Sequence, residues 1–199
     1  MPSMRASCAA SQGSERMCEA SRSRENGRME RQTQIHTIAP VFDARSRVLI
    51  LGSFPSVRSR AAAFYYAHPR NRFWPMLAAV LDEPTPETAE EKRAMLLRRR
   101  VALWDVVASC RIAGSSDASI ENVRANDLRR VLDAAPIEAI FCNGGTAYRY
   151  YQRLCRTELG WEARLLPSTS PANARCTLAR LTQLWSGELS PLLHGDARE

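Results

Sequence analysis

Residues 47–56 read RVLILGSFPS, and this stretch contains the clearest strand signal in the sequence. Four aliphatic residues in a row, Val48 to Leu51, are typical of a strand that is covered on both faces, as in parallel sheets. The strand stops at GSFPS, residues 52–56, which combines small residues, hydroxyls and a proline. Ligands of open α/β sheets bind beyond the carboxyl ends of the strands. We therefore expect a binding site where this strand ends.

Two further apolar runs end in the same way. Residues 137–141, IEAIF, lead into CNGG at 142–145, and RLL at 164–166 leads into PSTSPAN at 167–173. Helical patterns separate these runs, at residues 73–82, 87–100, 145–159 and 174–185, and VALWDVV at 101–107 reads as one more short strand. Alternating strands and helices predict an α/β fold with a mostly parallel central sheet between helices.

The composition of the chain limits the classes of protein to which it can belong. The chain has 199 residues, a net charge of +7 and one lysine, Lys92, so that its positive charge is almost entirely arginine. This balance favours a polyanionic partner. No apolar run is long enough to span a bilayer, and six cysteines without a CxxC pair indicate reduced thiols. Hydrophobic periodicity begins near Ile35, which predicts a disordered tail at 1–34 and a single domain at 35–199.

The three strand-end loops contain amides, hydroxyls, prolines and small residues. Small residues let a ligand approach the backbone, and amides and hydroxyls can read hydrogen-bonding edges. Carboxylate pairs and closely spaced metal ligands are absent from these loops, so we expect no metal site there.

Four segments together carry a resemblance: GSFPS (52–56), FYYAHPRNRFW (64–74), FCNGG (141–145) and LPSTSPAN (166–173). In this order they resemble the uracil-DNA glycosylase superfamily, and most closely its hypoxanthine-DNA glycosylase branch. The resemblance implies a three-layer α/β/α sandwich and a cofactor-free monomer that acts on damaged DNA in base excision repair. It also implies a cytoplasmic, nucleoid-associated bacterial protein. The implied reaction is hydrolysis of the N-glycosidic bond of a deaminated base, after that base has been flipped out of the duplex.

The resemblance assigns roles to individual residues. Tyr66 would stack on the flipped base, although packing in the core is the alternative for any single aromatic residue, and is the role we expect for Phe64 and Phe73. Asn143 would read the edge of the base, because one amide can accept from N1–H and donate to O6 of hypoxanthine. Its alternative role is to close a turn before Gly144.

Asn71 would hold the attacking water, since the GSFPS segment has Ser53 where other branches carry an acid or an amide. Its alternative role is to cap the helix that follows. The residues expected to touch the substrate are Gly52, Ser53, Phe54, Pro55, Tyr66, His68 and Ser168. The residues expected to contact the DNA strand are Arg70, Arg72, Ser170, Pro171, Ala172, Asn173 and Arg175.

Lys92 lies in a charged helical pattern, EEKRAMLLRRR, far from these segments. A glycosylase that cuts the strand needs an amine nucleophile, so the sequence predicts a monofunctional enzyme. Three alternatives stay open: a uracil or broader deaminated-base glycosylase, a non-catalytic DNA-binding module of the same fold, and an enzyme of free nucleotides. The last lacks the glycines and lysine of a phosphate-binding loop.

Overall fold

A parallel four-stranded sheet forms the centre of the protein. The computed structural model describes residues 32–112 and 121–193. The sheet contains β2 (Val48–Gly52), β3 (Val101–Asp105), β6 (Ala139–Asn143) and β7 (Ala163–Leu166), in the order β3-β2-β6-β7. All three neighbouring pairs are parallel, which confirms the predicted α/β class.

Helices flank the sheet. Helix α7 contacts β2 and packs on α2, α5 contacts β6 and β7, and α3 contacts β3. The helices are α1 (Val57–Ala61), α2 (Phe73–Leu81), α3 (Ala89–Arg98), α4 (Arg129–Leu132), α5 (Gly145–Leu154), α6 (Arg156–Leu159) and α7 (Leu178–Leu193). The helical pattern at 145–159 is therefore divided into two helices at Cys155.

Burial explains why the central strands are continuously apolar. Every residue of β2 and of β3 is buried, because both faces of these strands are covered. Phe64 and Phe73 belong to the same hydrophobic core, as expected. Strand β7 lies at the edge of the sheet, and its two middle residues, Arg164 and Leu165, are exposed.

A second, antiparallel sheet was not predicted. It contains β1 (Gln32–Ile35), β4 (Val107–Ile112) and β5 (Glu121–Ala125), in the order β1-β4-β5. Strand β1 begins at Gln32, three residues before the predicted start of the domain, because it pairs with β4. Residues 1–31 of the predicted tail, and the predicted loop at 113–120, lie outside the described residues.

The strand register brings the predicted loops together. Gly52 is opposite Asp105, Leu51 is opposite Cys142, and Asn143 is opposite Leu166. Parallel strands in this register end at one edge of the sheet. The loops that follow β2, β3, β6 and β7 consequently meet there. Within the described ranges, the helices are too short or too polar to cross a membrane.

Candidate active site

A cavity of about 600 Å³ opens at this edge of the sheet. Its size is within the usual range for pockets that take small ligands, about 300–1,000 Å³. Ten of the predicted site residues line it: Gly52, Ser53, Phe54, Pro55, Tyr66, His68, Asn71, Asn143, Ser168 and Ser170. The structure therefore places both predicted amides, Asn71 and Asn143, at one shared cavity.

Thr169 joins these two amides. The Asn143 Nδ2 donates to Thr169 Oγ1 over 2.9 Å, and that hydroxyl donates to Asn71 Oδ1 over 3.0 Å. The backbone N–H of Thr169 also donates to Asn143 Oδ1 over 2.9 Å. Thr169 is fully buried. The sequence analysis predicted Ser168 and Ser170 as site residues but not Thr169. The hydrogen bonds of Thr169 fix the positions of the two amides relative to each other.

The orientation of each amide follows from a backbone donor. A backbone N–H can only donate, so the oxygen of Asn143 must face Thr169 N–H, and the oxygen of Asn71 must face Phe73 N–H, which is 3.0 Å away. The Asn71 oxygen therefore accepts from both Phe73 and Thr169, and its Nδ2 is left for a ligand. The Asn71 oxygen thus binds the first backbone N–H of α2 from one residue before the capping position, which is Arg72 and has no side-chain capping hydrogen bond.

Tyr66 forms an aromatic wall of the cavity. Its ring stacks on Phe73, with centroids 4.0 Å apart and planes inclined by 24°. One ring face is covered in this way, and the opposite face is the one that can receive a planar base. The backbone of Tyr66 has a φ of 52°, an uncommon conformation that costs free energy and is often found at functional sites.

The hydroxyl of Tyr66 is buried and has no aligned hydrogen-bond partner within residues 32–112 and 121–193. Burial raises the pKa of Tyr66, and the negative charge of Asp105 raises it further. The side chain of Asn143 lies close enough to oppose this pKa shift. The hydroxyl is therefore neutral and points to the buried end of the cavity.

Gly144 allows the turn after β6 to approach the loop after β7. Its φ is +97°, and a Cβ on this residue would lie 2.7 Å from the Cβ of Ser168. Any side chain would push the two loops apart. Asn143 thus precedes a glycine turn, as its alternative role supposed, and its side chain lines the cavity as well.

Arg72, which was predicted to contact a phosphate, forms hydrogen bonds within the protein. Its guanidinium donates to the carbonyl oxygens of Thr169, Ser170, Asn173 and Cys176, with 2.6 Å from Nη2 to Ser170. The backbone N–H of Arg72 also donates to the carbonyl of Thr169. The guanidinium of Arg72 therefore stabilises the conformation of the loop at 167–176. A contact with phosphate would require these hydrogen bonds to break.

The remaining predicted DNA contacts lie outside the cavity lining. Arg70, Ala172 and Arg175 are exposed, whereas Pro171 is partly buried. The Asn173 side chain donates to the carbonyl of Ser168, so it also shapes the loop. These residues remain predicted DNA contacts.

Two arginines that the sequence analysis did not single out reach the cavity from α1. Arg58 is exposed there, and Arg60 donates to the carbonyl of Pro55 while lying 5.6 Å from the ring centroid of Phe54. The VRSRA pattern directly after GSFPS was the available signal. Lys92, in contrast, donates to the carbonyl of Glu87 and lies over Trp74, away from the cavity lining.

The sequence analysis also missed a carboxylate. Asp105, at the end of β3, lines the cavity and is bonded to His36 on the segment after β1, with 2.8 Å between Oδ2 and Nε2. The polar residue at the end of the VALWD strand was a signal for Asp105. His36 had none, because the pairing of β1 with β4 that brings it here is a long-range contact. No group of three or more metal-ligating side chains occurs in the described parts of the chain.

Comparisons with known proteins agree with this geometry. Residues 39–186 match the sequence profile of the "Uracil DNA glycosylase superfamily". A hypoxanthine DNA glycosylase of Methanosarcina acetivorans is 35% identical over 136 residues, which are 68% of this chain and 85% of the relative. The corresponding protein of Methanosarcina barkeri is 32% identical over 142 residues, covering 71% and 89%. These relatives are archaeal, so they do not support the expected bacterial origin.

A solved structure gives the same result. The solution NMR structure of a candidate uracil DNA glycosylase from Methanosarcina acetivorans superposes with a TM-score of 0.69 at 30% identity. The superposition covers 81% of this chain and 99% of that one. With a parallel sheet, a cavity at its carboxyl edge and a profile match over most of the described residues, the chain belongs to the uracil DNA glycosylase superfamily.

Proposed function

We propose that this protein is a monofunctional DNA glycosylase that hydrolyses the N-glycosidic bond of deaminated bases, with hypoxanthine as its main substrate. The observation that carries the proposal is the pair of amides, Asn71 and Asn143, which Thr169 holds at one cavity beside the ring of Tyr66. The named activity of the two Methanosarcina relatives supports the choice of base.

Asn143 matches the edge of a deaminated base. After its bonds to Thr169, its amide retains one N–H donor and one oxygen lone pair. Hypoxanthine offers O6 and N1–H side by side, and the pinned amide can face this pair in one orientation only. Adenine offers the opposite pattern at the same two positions. Uracil has the same pattern as hypoxanthine, so the amide alone does not separate these two bases.

Asn71 contributes by orientation. Because its oxygen is already occupied, its Nδ2 donates to the oxygen of a water, and the second lone pair of that water is directed at the anomeric carbon. An amide is not a base, so the reaction depends on stabilising the departing base and the positively charged sugar. Correct placement of reacting groups can account for several kcal/mol of the barrier, with about 100-fold lost for a 1 Å displacement.

Labelled duplexes that contain hypoxanthine, uracil or xanthine test the proposal. After incubation, alkali cleaves the strand at abasic sites. We expect product from the hypoxanthine duplex, and no break without alkali because the lone lysine is not at the cavity. A higher rate on uracil would assign the protein to the rival substrate. Binding without product from any duplex would instead indicate a non-catalytic module.

Two substitutions and one control accompany this panel. Asn71→Ala and Asn143→Ala should each lower the single-turnover rate by about 100-fold or more, since each removes a group placed at the reacting base or water. Gln183→Ala removes an amide from the exposed face of α7 and should retain the full rate. If Asn71→Ala retains the full rate, the role assigned to Asn71 is wrong.

A further inference from the structure

A buried carboxylate faces a cavity that is proposed to receive part of a polyanion. Asp105 is 3% exposed and lines the cavity. Burial of a carboxylate costs free energy, and its negative charge repels the phosphates of DNA. Because burial and phosphate repulsion both oppose a carboxylate at this position, we expect a favourable contact between Asp105 and the ligand.

The two oxygens of Asp105 have different surroundings. Oδ2 accepts from Nε2 of His36 over 2.8 Å, and the His36 side chain is only 1% exposed. Oδ1 has no hydrogen-bond partner within residues 32–112 and 121–193, and it lies 2.0 Å from the point where a Cβ on Gly52 would be. Gly52 is thus small because this oxygen occupies the space above it. Oδ2 is therefore hydrogen-bonded to His36, and Oδ1 can accept a hydrogen bond from a ligand.

Depth indicates which part of a nucleotide would meet Oδ1. The same point above Gly52 is 2.9 Å from the buried hydroxyl of Tyr66, and Asn143 also approaches that hydroxyl. These groups form the inner end of the cavity. A flipped nucleotide enters with its base first, because its sugar stays joined to the strand outside. The far edge of the base, and not the anomeric carbon, would therefore reach Asp105.

We propose that Asp105 Oδ1 accepts the ring N–H of the flipped base, and that His36 restricts this carboxylate to a single acceptor. The inference rests on the proposed glycosylase function and extends it to the choice of base. In this refinement Asp105 takes the N1–H that the second lone pair of Asn143 could otherwise accept, and Asn143 keeps the contact of its remaining N–H with the adjacent carbonyl of the base.

This arrangement separates a deaminated base from its parent. Adenine presents a lone pair at N1, which the carboxylate oxygen repels, whereas hypoxanthine presents an N–H there. Guanine presents two adjacent donors, N1–H and the 2-amino group, and a carboxylate with both oxygens free would match them. Because His36 occupies Oδ2, that paired match is not available, and guanine is disfavoured.

Binding to uncleavable substrates tests the assignment independently of catalysis. Duplexes carry 2′-fluoroarabino nucleotides of hypoxanthine, of guanine, or of unsubstituted purine, whose N1 is an acceptor. We expect the protein to bind hypoxanthine at least 10-fold more tightly than purine. In Asp105→Asn, this ratio should fall to about threefold or less, because an amide can donate to N1 of purine. Asp133→Asn, an exposed carboxylate on the surface, is the control for the change of charge.

His36 variants test the second half of the proposal and keep it testable if Asp105→Asn does not fold. His36→Phe keeps a ring and removes the donor, so binding of the guanine duplex relative to hypoxanthine should rise about 10-fold. His36→Gln restores an N–H donor and should return this ratio towards the original value. Thermal unfolding of each variant reports whether the fold is retained.

The outcomes separate this inference from the proposed function. If Asp105→Asn binds hypoxanthine and purine with an unchanged ratio, or loses affinity for both equally, Asp105 does not read the base and the inference is wrong. If the ratios change as expected but no duplex yields an abasic product, the edge reading stands and the proposed hydrolysis fails.

Discussion

At the scale of single residues, the hydroxyl of Thr169 decides the geometry of the site. It is the one group that contacts both Asn71 and Asn143 in the described hydrogen-bond network. If either amide rotated by half a turn, its NH2 group would face a backbone N–H, so each amide has a single favourable orientation. The orientation of these two side chains, and with it their proposed selectivity, therefore depends on the buried residue Thr169.

Thr169→Val should test this transfer, because it preserves the shape of the side chain and removes the hydroxyl. We expect the single-turnover rate on hypoxanthine to fall about 30-fold through misplaced amides, with a smaller change in duplex affinity. Thr169→Ser retains the hydroxyl and should remain within about threefold of the original rate. Equal losses in both variants would show that packing of the methyl group matters, and not the hydrogen bonds.

Two adjacent glycines give a matched prediction for stability. Gly144→Ala should lower the free energy of unfolding by about 2 kcal/mol or more, because the new Cβ would collide with Ser168 at a φ of +97°. Gly145→Ala has open space at its Cβ and should be neutral or stabilising by up to about 1 kcal/mol. Urea denaturation of both variants measures the difference. Similar values for the two would contradict the close contact between these loops.

At the scale of secondary structure, side chains from one element fix the position of another. Arg72, immediately before α2, holds four carbonyls of the loop that follows β7. Glu83, just after α2, accepts from Arg98 and Arg99 at the end of α3. Both ends of α2 are therefore connected to distant parts of the chain, one to the site and one to the helical layer.

The contact with α3 predicts a pH dependence of stability. The hydrogen bond from Arg98, and then that from Arg99, lower the pKa of Glu83 to about 2, from an ordinary value of 4.5. A lowered pKa stabilises the folded state above about pH 4.5, and this contribution is lost as the pH falls towards 2. Glu83→Gln should cost about 1 kcal/mol at pH 7 and almost nothing near pH 2. Denaturant titrations at several pH values measure the change, and a cost that does not vary with pH would contradict the ion pair.

At the scale of the whole molecule, charge should govern the encounter with DNA. The net charge is +7, Arg58 is exposed in the cavity lining, and Arg70 and Arg175 are exposed in segments that are predicted to contact DNA. Each phosphate contact releases counterions, so affinity should fall steeply with added salt. Exposed arginines would supply affinity for any duplex, while the cavity would supply the choice of base.

Arg58→Ala should reduce the slope of log affinity against log salt concentration by about 1, because one phosphate contact is lost. The loss of affinity should be similar for damaged and undamaged duplexes. Arg45→Ala is the control, since Arg45 is exposed, pairs with Asp43 and lies outside the cavity lining. An unchanged slope in Arg58→Ala would mean that DNA does not pass over α1.

Features encoded by neighbouring residues were predicted from the sequence, whereas contacts between residues distant in sequence were not. Continuous apolar runs and the residues at their ends predicted β2, β6 and β7 and the strand-end position of Asn143, whereas Asn71 and Tyr66 were predicted only from the resemblance to the glycosylase superfamily. The pairing of β1 with β4 joins residues about 75 positions apart and has no periodic signature, so the contact between His36 and Asp105 was not predicted.

Arg72 illustrates a second limit. Its position beside a motif predicted a phosphate ligand, but its partners are backbone carbonyls. Every residue has a carbonyl, so the letters of the sequence do not indicate which carbonyls converge on one guanidinium. Only the path of the loop after β7 determines this, and that path depends on Gly144 and Ser168 fitting together.

The solitary lysine has a practical consequence. A protease specific for lysine has a single cleavage site in this chain, after Lys92 in α3. One fragment would then carry Asn71 and Tyr66, and the other would carry Asn143 and Thr169. Recombining the two fragments, one of them substituted, would allow each half of the cavity to be varied by chemical synthesis without rebuilding the other.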